Sequence, residues 1–151
     1  VDAMTAERLH RVFTTNVVGP FYAHDTRFGT CRHGMVVGAE ASKRLVGAAR
    51  SGSPGEYVDY AASKGAIDTF TVGLAREVAS EGIRVNAVRP GFIYTDIHGS
   101  GGEPGRVDRL KPVIPMQRGG QPDEVARAIL WLLSDEASLT TGTFIDVAGG
   151  L

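Results

Sequence analysis

An alternation of helical and strand-like segments constrains the fold of this 151-residue chain more than any other feature. Residues 57–80 carry apolar side chains at steps of three and four, which predicts a helix with one buried face. A short apolar strand over residues 83–88 follows almost at once and runs into Arg89-Pro90-Gly91. A strand that ends in Pro-Gly opens a loop at its carboxyl end, where α/β sheets bind their ligands.

Further segments extend the same alternation on both sides of this pair. Residues 5–21 have apolar side chains at helical spacing, with Thr5 as the N-cap candidate, and residues 35–39 form a short strand candidate. Gln121-Pro122-Asp123-Glu124 favours the start of another helix, and residues 142–147 are typical of a final strand. Helices that alternate with strands predict an α/β fold whose parallel strands are joined by helical crossovers.

The length fits a single domain over residues 1–151. Two segments stand apart from the alternation. Residues 24–53 lack a clear periodicity and form an atypical segment. Residues 92–120 are rich in Gly and Pro, and a segment this long in a compact domain is usually a functional lid or a disordered linker.

The composition argues against several classes of partner. The chain has 16 Lys and Arg against 17 Asp and Glu, so its charge gives no sign of a nucleic-acid partner. No apolar run approaches the roughly 20 residues that cross a bilayer, and the first residues lack the apolar core of a signal peptide. The single cysteine, Cys31, cannot form an internal disulfide, which favours a reducing, cytoplasmic location. We predict no metal site.

Tyr60 and Lys64 are four residues apart in the predicted helix and therefore share one of its faces. A phenol has a pKa of about 10 and is protonated near neutral pH. An ammonium close by favours the phenolate and lowers that pKa, so the pair could give and take a proton near neutral pH. Because a Tyr and a Lys at this spacing also arise by chance on helix surfaces, the pair alone is weak evidence for an active site.

Three motifs in a fixed order add to this evidence: Tyr60-Ala61-Ala62-Ser63-Lys64, then Gly82-Ile83-Arg84-Val85-Asn86-Ala87-Val88-Arg89-Pro90-Gly91 followed by Thr95, then Thr141-Gly142-Thr143 with Asp146-Val147-Ala148-Gly149-Gly150. Together they closely resemble the carboxyl-terminal half of the short-chain dehydrogenase/reductase family. The resemblance covers about residues 5–22 and 54–151. Within the family, the motifs are similar to those of bacterial glucose-dehydrogenase-like and 3-oxoacyl-carrier-protein reductase-like members.

The resemblance implies a Rossmann-like parallel sheet with flanking helices, incomplete because the amino-terminal strands of the family fold are absent. It implies an NAD(P)-dependent oxidoreductase that interconverts a secondary alcohol and a ketone. NAD or NADP would be the cofactor, and a small alcohol or carbonyl compound would be the substrate. Intact family members are typically dimers or tetramers, so the resemblance also implies a homo-oligomer.

The resemblance assigns catalytic roles to three residues. Tyr60 would be the acid/base that protonates a carbonyl oxygen or deprotonates an alcohol. Lys64 would lower the pKa of Tyr60 and hold the nicotinamide ribose. Asn16 matches the asparagine that positions a proton-relay water near the lysine, whereas from the residues alone it would be a solvent-facing Asn in a helix.

A cofactor-binding segment follows from the same resemblance. Pro90 and Gly91 begin the family's Pro-Gly-x-x-x-Thr pattern, which ends here at Thr95. The backbone around Ile93 and the hydroxyl of Thr95 would contact the carboxamide of the nicotinamide, while Tyr60 and Lys64 would complete the cofactor site. The loop over residues 96–120 would cover the substrate.

Two departures from the family pattern concern function. The glycine-rich turn that holds the pyrophosphate is missing: Gly99 and Gly101 start one, but Pro104 stands where its third glycine belongs. The catalytic serine is also missing from residues 44–46, and Ser42 is the nearest substitute, although a serine in a polar loop is more often simply solvated.

One hypothesis accounts for the lost serine, because the pattern stops near residue 22 and resumes near residue 52. Residues 24–51 would then be an out-of-frame translation, which reading the encoding DNA in its other frames tests. The alternatives to an active enzyme are a truncated, inactive fragment that keeps only its oligomerisation surfaces, and a chain that does not fold.

Overall fold

The computed structural model describes residues 5–18, 35–38, 52, 58–100 and 102–151. The atypical segment 24–53 is described only at residues 35–38 and 52. Ser42, residues 44–46 and the junctions of the proposed frame change lie outside the described residues. Those predictions therefore stay predictions.

Three parallel strands form the described sheet, in the order β1 (Met35–Gly38), β2 (Val85–Pro90) and β3 (Phe144–Val147). Ala87 in the central strand is paired with Val37 on one side and with Phe144 on the other. The parallel arrangement confirms the predicted α/β fold. The last strand begins two residues later than predicted because Gly142, at φ 68°, has a left-handed backbone that cannot extend a strand.

Five α-helices occur within the described ranges: α1 (Ala6–Phe13), α2 (Val58–Val78), α3 (Ile97–Ser100), α4 (Arg106–Leu110) and α5 (Pro122–Leu133). The predicted N-cap is confirmed, since the Thr5 hydroxyl accepts a hydrogen bond from the Arg8 N–H at 3.1 Å. A π-helical turn, Thr14–Val18, continues α1. No helix in these ranges is long and apolar enough to cross a membrane.

Helix α2 packs along the central strand and runs antiparallel to it. The helix ends at Val78, and a 3-10 turn with Gly82 at φ 76° leads within a few residues into β2. The shared core is apolar: Ile67, Ala75, Val78, Ile83, Val85 and Ala87. Because the carboxyl end of the helix meets the start of the strand, the amino end of α2 lies toward the carboxyl edge of the sheet.

Two buried polar residues of the strand motif anchor the loop between α5 and β3. Arg84 donates to the carbonyls of Leu132 at 2.6 Å and Ser134 at 3.1 Å, at the carboxyl end of α5 where a cation is favourable. Asn86 donates to the Thr140 carbonyl at 2.9 Å and accepts from a backbone N–H further along the loop. Arg84 and Asn86, which belong to one of the motifs shared with the family, therefore have a structural role.

The predicted substrate loop, residues 92–120, contains regular structure. Its helices α3 and α4 are followed by a 3-10 turn, Lys111–Val113. Phe92, Val107 and Ile114 form a second apolar core under the segment. The chain approaches the end of β2 closely at Gly119, where a Cβ atom would lie 2.8 Å from the Tyr94 ring and collide with Val107. The apolar side chains among the glycines and prolines thus hold the segment on the end of the sheet.

Candidate active site

Tyr60 and Lys64 lie on the same face of α2, as their spacing predicts. The Lys64 Nζ atom is 5.1 Å from the centre of the Tyr60 ring, a favourable arrangement of a cation and an aromatic face. Lys64 is buried, with 8 % of its surface exposed, and Tyr60 is half-buried. The buried ammonium of Lys64 therefore lies against the face of the Tyr60 ring.

A salt bridge between β2 and α2 helps to locate Tyr60 and Lys64 relative to the sheet. The Arg89 Nη2 atom, near the end of β2, is 2.7 Å from Asp68 Oδ2 on α2. Lys64 comes one helical turn before Asp68, about 6 Å closer to the amino end of the helix. Since α2 runs antiparallel to β2, Lys64 lies further toward the carboxyl edge of the strand than Asp68 does.

Asn16 is held against α2 and does not simply face solvent. Its Nδ2 donates to the Ser63 hydroxyl at 3.1 Å, and that hydroxyl donates to the Tyr60 carbonyl at 2.7 Å. Ser63, completely buried, lies between Tyr60 and Lys64 in the helix. The π-helical turn that carries Asn16 is a rare form that occurs frequently at functional sites. The structure therefore holds Asn16 against Ser63, the neighbour of Lys64 in the helix.

An ion pair between α1 and α2 was not predicted. Arg8 binds Asp59, the residue before Tyr60, through Nε at 2.7 Å and Nη2 at 3.1 Å. Asp59 is buried, and the hydrogen bonds from the Arg8 guanidinium hold the pKa of that carboxyl below its ordinary value. No local pattern could reveal a pair so far apart in the chain.

The segment after β2 is fixed on one side by backbone hydrogen bonds. The Gly91 N–H donates to the Val147 carbonyl at 2.9 Å, which holds the start of the segment against β3. Gly120 donates to the Phe92 carbonyl at 2.9 Å and accepts from the Tyr94 N–H at 3.0 Å. This pattern is a parallel bridge between Ile93 and Gly120.

The bridge leaves the backbone groups of Ile93 itself turned away from Gly120. Its carbonyl accepts a hydrogen bond from Nε2 of His98 at 2.8 Å. Its N–H donates to none of the described residues. Ile93 is 4 % exposed, and a buried donor of this kind needs an acceptor. Thr95, two residues further on, is exposed.

These observations place the predicted site residues in two groups. Asn16, Tyr60 and Lys64 form one, and the segment from Pro90 to Thr95 forms the other at the carboxyl edge of β2. Sequence reasoning did not identify His98 or Arg8 as parts of the site. Within the described ranges, no three His, Cys, Asp or Glu side chains come together as metal ligands.

Comparison with known proteins identifies the family. The family described as enoyl-(acyl carrier protein) reductase matches residues 1–151. A short-chain dehydrogenase/reductase from Brucella melitensis, described as a glucose/ribitol dehydrogenase, is similar in structure, with a TM-score of 0.83 and 33% identity. The similarity covers 97% of this chain and 57% of that protein. The chain belongs to the short-chain dehydrogenase/reductase family.

Other members of the short-chain dehydrogenase/reductase family are similar over nearly the whole chain. An uncharacterised oxidoreductase of Escherichia coli K12, YgfF, is 62% identical over 99% of this chain and 61% of its own length. A 3-oxoacyl-[acyl-carrier protein] reductase from Brucella melitensis with bound NAD is 36% identical, with a TM-score of 0.79, over 100% of this chain and 54% of that protein. The predicted family and Rossmann-like fold are confirmed, and the chain spans between 54 and 61% of the length of these proteins.

Proposed function

We propose that this chain carries the proton-transfer and nicotinamide-facing part of an NAD(P)-dependent oxidoreductase that interconverts a secondary alcohol and a ketone. The observation that carries the proposal is the contact of Lys64 with Tyr60 near the amino end of α2. A buried cation against a half-buried phenol, beside the end of a parallel strand, is suited to proton transfer next to a bound ligand.

Tyr60 is the acid/base in this proposal. Its hydroxyl gives its proton to the carbonyl oxygen as a ketone becomes an alcohol, and the phenolate takes the proton back in the reverse direction. Lys64 stabilises the negative charge that remains on the Tyr60 oxygen, and it also binds the ribose next to the nicotinamide. Asn16, anchored on Ser63, positions a water beside Lys64 that returns the proton from solvent.

The segment after β2 fits a nicotinamide. A bound nicotinamide would supply or accept the hydride. The Ile93 N–H is a buried donor without a described acceptor, and a carboxamide oxygen would satisfy it. Pro90 and Gly91 lead from the strand into this segment, and the exposed Thr95 hydroxyl supplies a second polar contact. NAD or NADP is therefore the proposed cofactor, and residues 96–120 would cover a small alcohol or carbonyl substrate.

A second candidate function is supported by apolar residues exposed on α5. Leu130 is 65% exposed, Trp131 40% and Leu133 39%, and Leu139 in the following loop is 99% exposed. Large apolar side chains mark an interaction surface when they form one contiguous patch, and this alternative requires these four residues to do so. In this alternative, the chain keeps homo-oligomer contacts of the family over residues 122–148 without catalysis.

Titration of the chain with NADH and NADPH tests the first candidate, because nucleotide fluorescence reports binding directly. We expect a saturable fluorescence change with at least one nucleotide. Lys64→Met should weaken binding about tenfold, which corresponds to about 1.4 kcal/mol, through loss of the ribose contact. Arg76→Met removes one charge from an exposed position of the same helix and should leave affinity unchanged.

If the unaltered chain binds neither NADH nor NADPH, the proposed enzyme function is ruled out for this chain. Sedimentation of the same sample would then decide for or against the second candidate, since a chain that keeps the family contacts should sediment as a dimer or tetramer.

A further inference from the structure

The proposed chemistry does not use His98, although this histidine is buried beside the cofactor-binding segment. It lies in α3, three residues after Thr95, and 6% of its surface is exposed. Its Nε2 atom is 2.8 Å from the Ile93 carbonyl oxygen. Because a carbonyl oxygen only accepts, Nε2 must carry the hydrogen of this bond.

His98 contacts the side of the backbone that also carries the Ile93 N–H, which donates to none of the described residues. The bridge to Gly120 takes its hydrogen bonds from Phe92 and Tyr94. In an extended segment, the N–H and C=O of the residue between them both turn to the opposite side. The imidazole and the Ile93 N–H therefore lie on the same side of the chain, facing away from Gly120.

The two sides of the segment are thus held by different partners. Gly120 fixes the peptides that flank Ile93 on one side, at 2.9 and 3.0 Å. On the other side, the His98 hydrogen bond is the contact that the described residues make with the Ile93 carbonyl. Without that donor, the buried carbonyl would lack a partner among the described residues. The 93–94 peptide would then be held through the Tyr94 N–H alone, and it could tilt about that hydrogen bond.

We propose that His98 is a positioning residue for the nicotinamide. The Ile93 N–H belongs to the 92–93 peptide, which Gly120 holds through the Phe92 carbonyl, and the Ile93 carbonyl belongs to the 93–94 peptide. By holding the 93–94 peptide as well, His98 limits rotation about the Ile93 Cα and so keeps the N–H directed at the carboxamide oxygen of the ligand. The inference rests on the proposed function, because it takes the Ile93 N–H as part of the nicotinamide site. His98 acts through the backbone and exchanges no proton with the substrate.

A pair of substitutions separates the hydrogen bond from the bulk of the ring. The probe is reduced nicotinamide mononucleotide, which contains the nicotinamide and its ribose without the adenosine half, and its binding is followed by fluorescence. His98→Met removes the donor and should weaken binding about tenfold. His98→Gln retains an N–H at a similar reach and should bind within about threefold of the unaltered chain.

A second readout follows the backbone itself. The Ile93 amide resonance in a ¹H–¹⁵N spectrum of the ligand-free chain should shift in His98→Met and stay close to its original position in His98→Gln. A merely structural role would lower the melting temperature without this selective change. If His98→Met does not fold, the glutamine variant decides alone, since a tenfold loss of affinity or a displaced Ile93 amide in it would overturn the inference.

The outcomes also separate this inference from the proposed function. Unchanged affinity in His98→Met overturns the positioning role alone. Equal losses of affinity in His98→Met and His98→Gln overturn it too, because the N–H that glutamine retains would then make no difference to binding. Failure of the unaltered chain to bind the probe overturns the proposed function and the positioning role together.

Discussion

Replacing Tyr60 by phenylalanine is expected to lower the rate of ketone reduction by about 10²–10⁴-fold or more, with little change in nucleotide affinity. The substitution keeps the ring that contacts Lys64 at 5.1 Å and removes only the hydroxyl that carries the proton. The measurement compares the turnover number with either reduced nucleotide and the nucleotide dissociation constant in the same preparation.

Thr69→Val is the matched control for this experiment. It removes a hydroxyl from an exposed position of the same helix, and we expect turnover to stay unchanged. Full activity in Tyr60→Phe would refute the acid/base role of Tyr60. A loss of nucleotide binding equal to the loss of turnover would show that the tyrosine acts mainly in binding.

Replacing Arg8 by methionine is expected to lower the free energy of unfolding by about 3 kcal/mol. The change leaves the Asp59 carboxylate, whose side chain is 1% exposed, without the guanidinium that binds it at 2.7 Å. We place the cost at the low end for a buried pair because the Arg8 side chain is 29% exposed. Urea unfolding measures the difference, and Arg11→Met, at an exposed position of α1, should change stability by less than about 0.5 kcal/mol.

The same substitution has a pH signature. The Arg8 hydrogen bonds lower the pKa of Asp59 from its ordinary value of 3.8, so the pair contributes its full stability above that pH. The contribution is lost as the pH falls through the lowered pKa of the folded state, since Asp59 then takes up a proton. The stability difference between the unaltered chain and Arg8→Met should therefore be constant above about pH 5 and shrink below about pH 4. A difference that does not change with pH would contradict the ion pair.

Local patterns predicted those parts of the fold and site that depend on neighbours in the chain. Tyr60 and Lys64 meet because a helix brings residues four apart onto one face, and Thr5 caps α1 through a residue three positions away. The alternation of helices and strands predicted the parallel sheet for the same reason, since short crossovers leave few other arrangements.

Contacts between distant segments could not be predicted in this way. Asn16 reaches Ser63 across 47 positions, and Arg8 reaches Asp59 across 51, so only the packing of α1 on α2 reveals either pair. His98 is five residues from Ile93, yet its role depends on the bridge to Gly120, which no spacing rule indicates. The family resemblance supplied roles for residues, whereas the partners that hold those residues came from the structure.

The segment over residues 92–120 shows a limit of composition as a guide. Its glycines and prolines are typical of a functional lid or a disordered linker, and they do not reveal that Phe92, Val107 and Ile114 pack into an apolar core. Gly119 serves close packing against Val107 and Tyr94, so a glycine that resembles a flexible position is required for contact. Three buried apolar residues therefore determine the structure of this segment more than its Gly- and Pro-rich composition does.

The most direct measurement locates a bound nicotinamide nucleotide on the chain by ¹H–¹⁵N spectra recorded during titration with NADH. We predict that the amide resonances of residues 60–64 and of residues 91–95 shift together and saturate at the same nucleotide concentration. Those two groups belong to different elements and share only the proposed site at the carboxyl edge of β2. Shifts confined to other parts of the chain, or to one group without the other, would contradict a nicotinamide held between the Tyr60–Lys64 pair and the end of that strand.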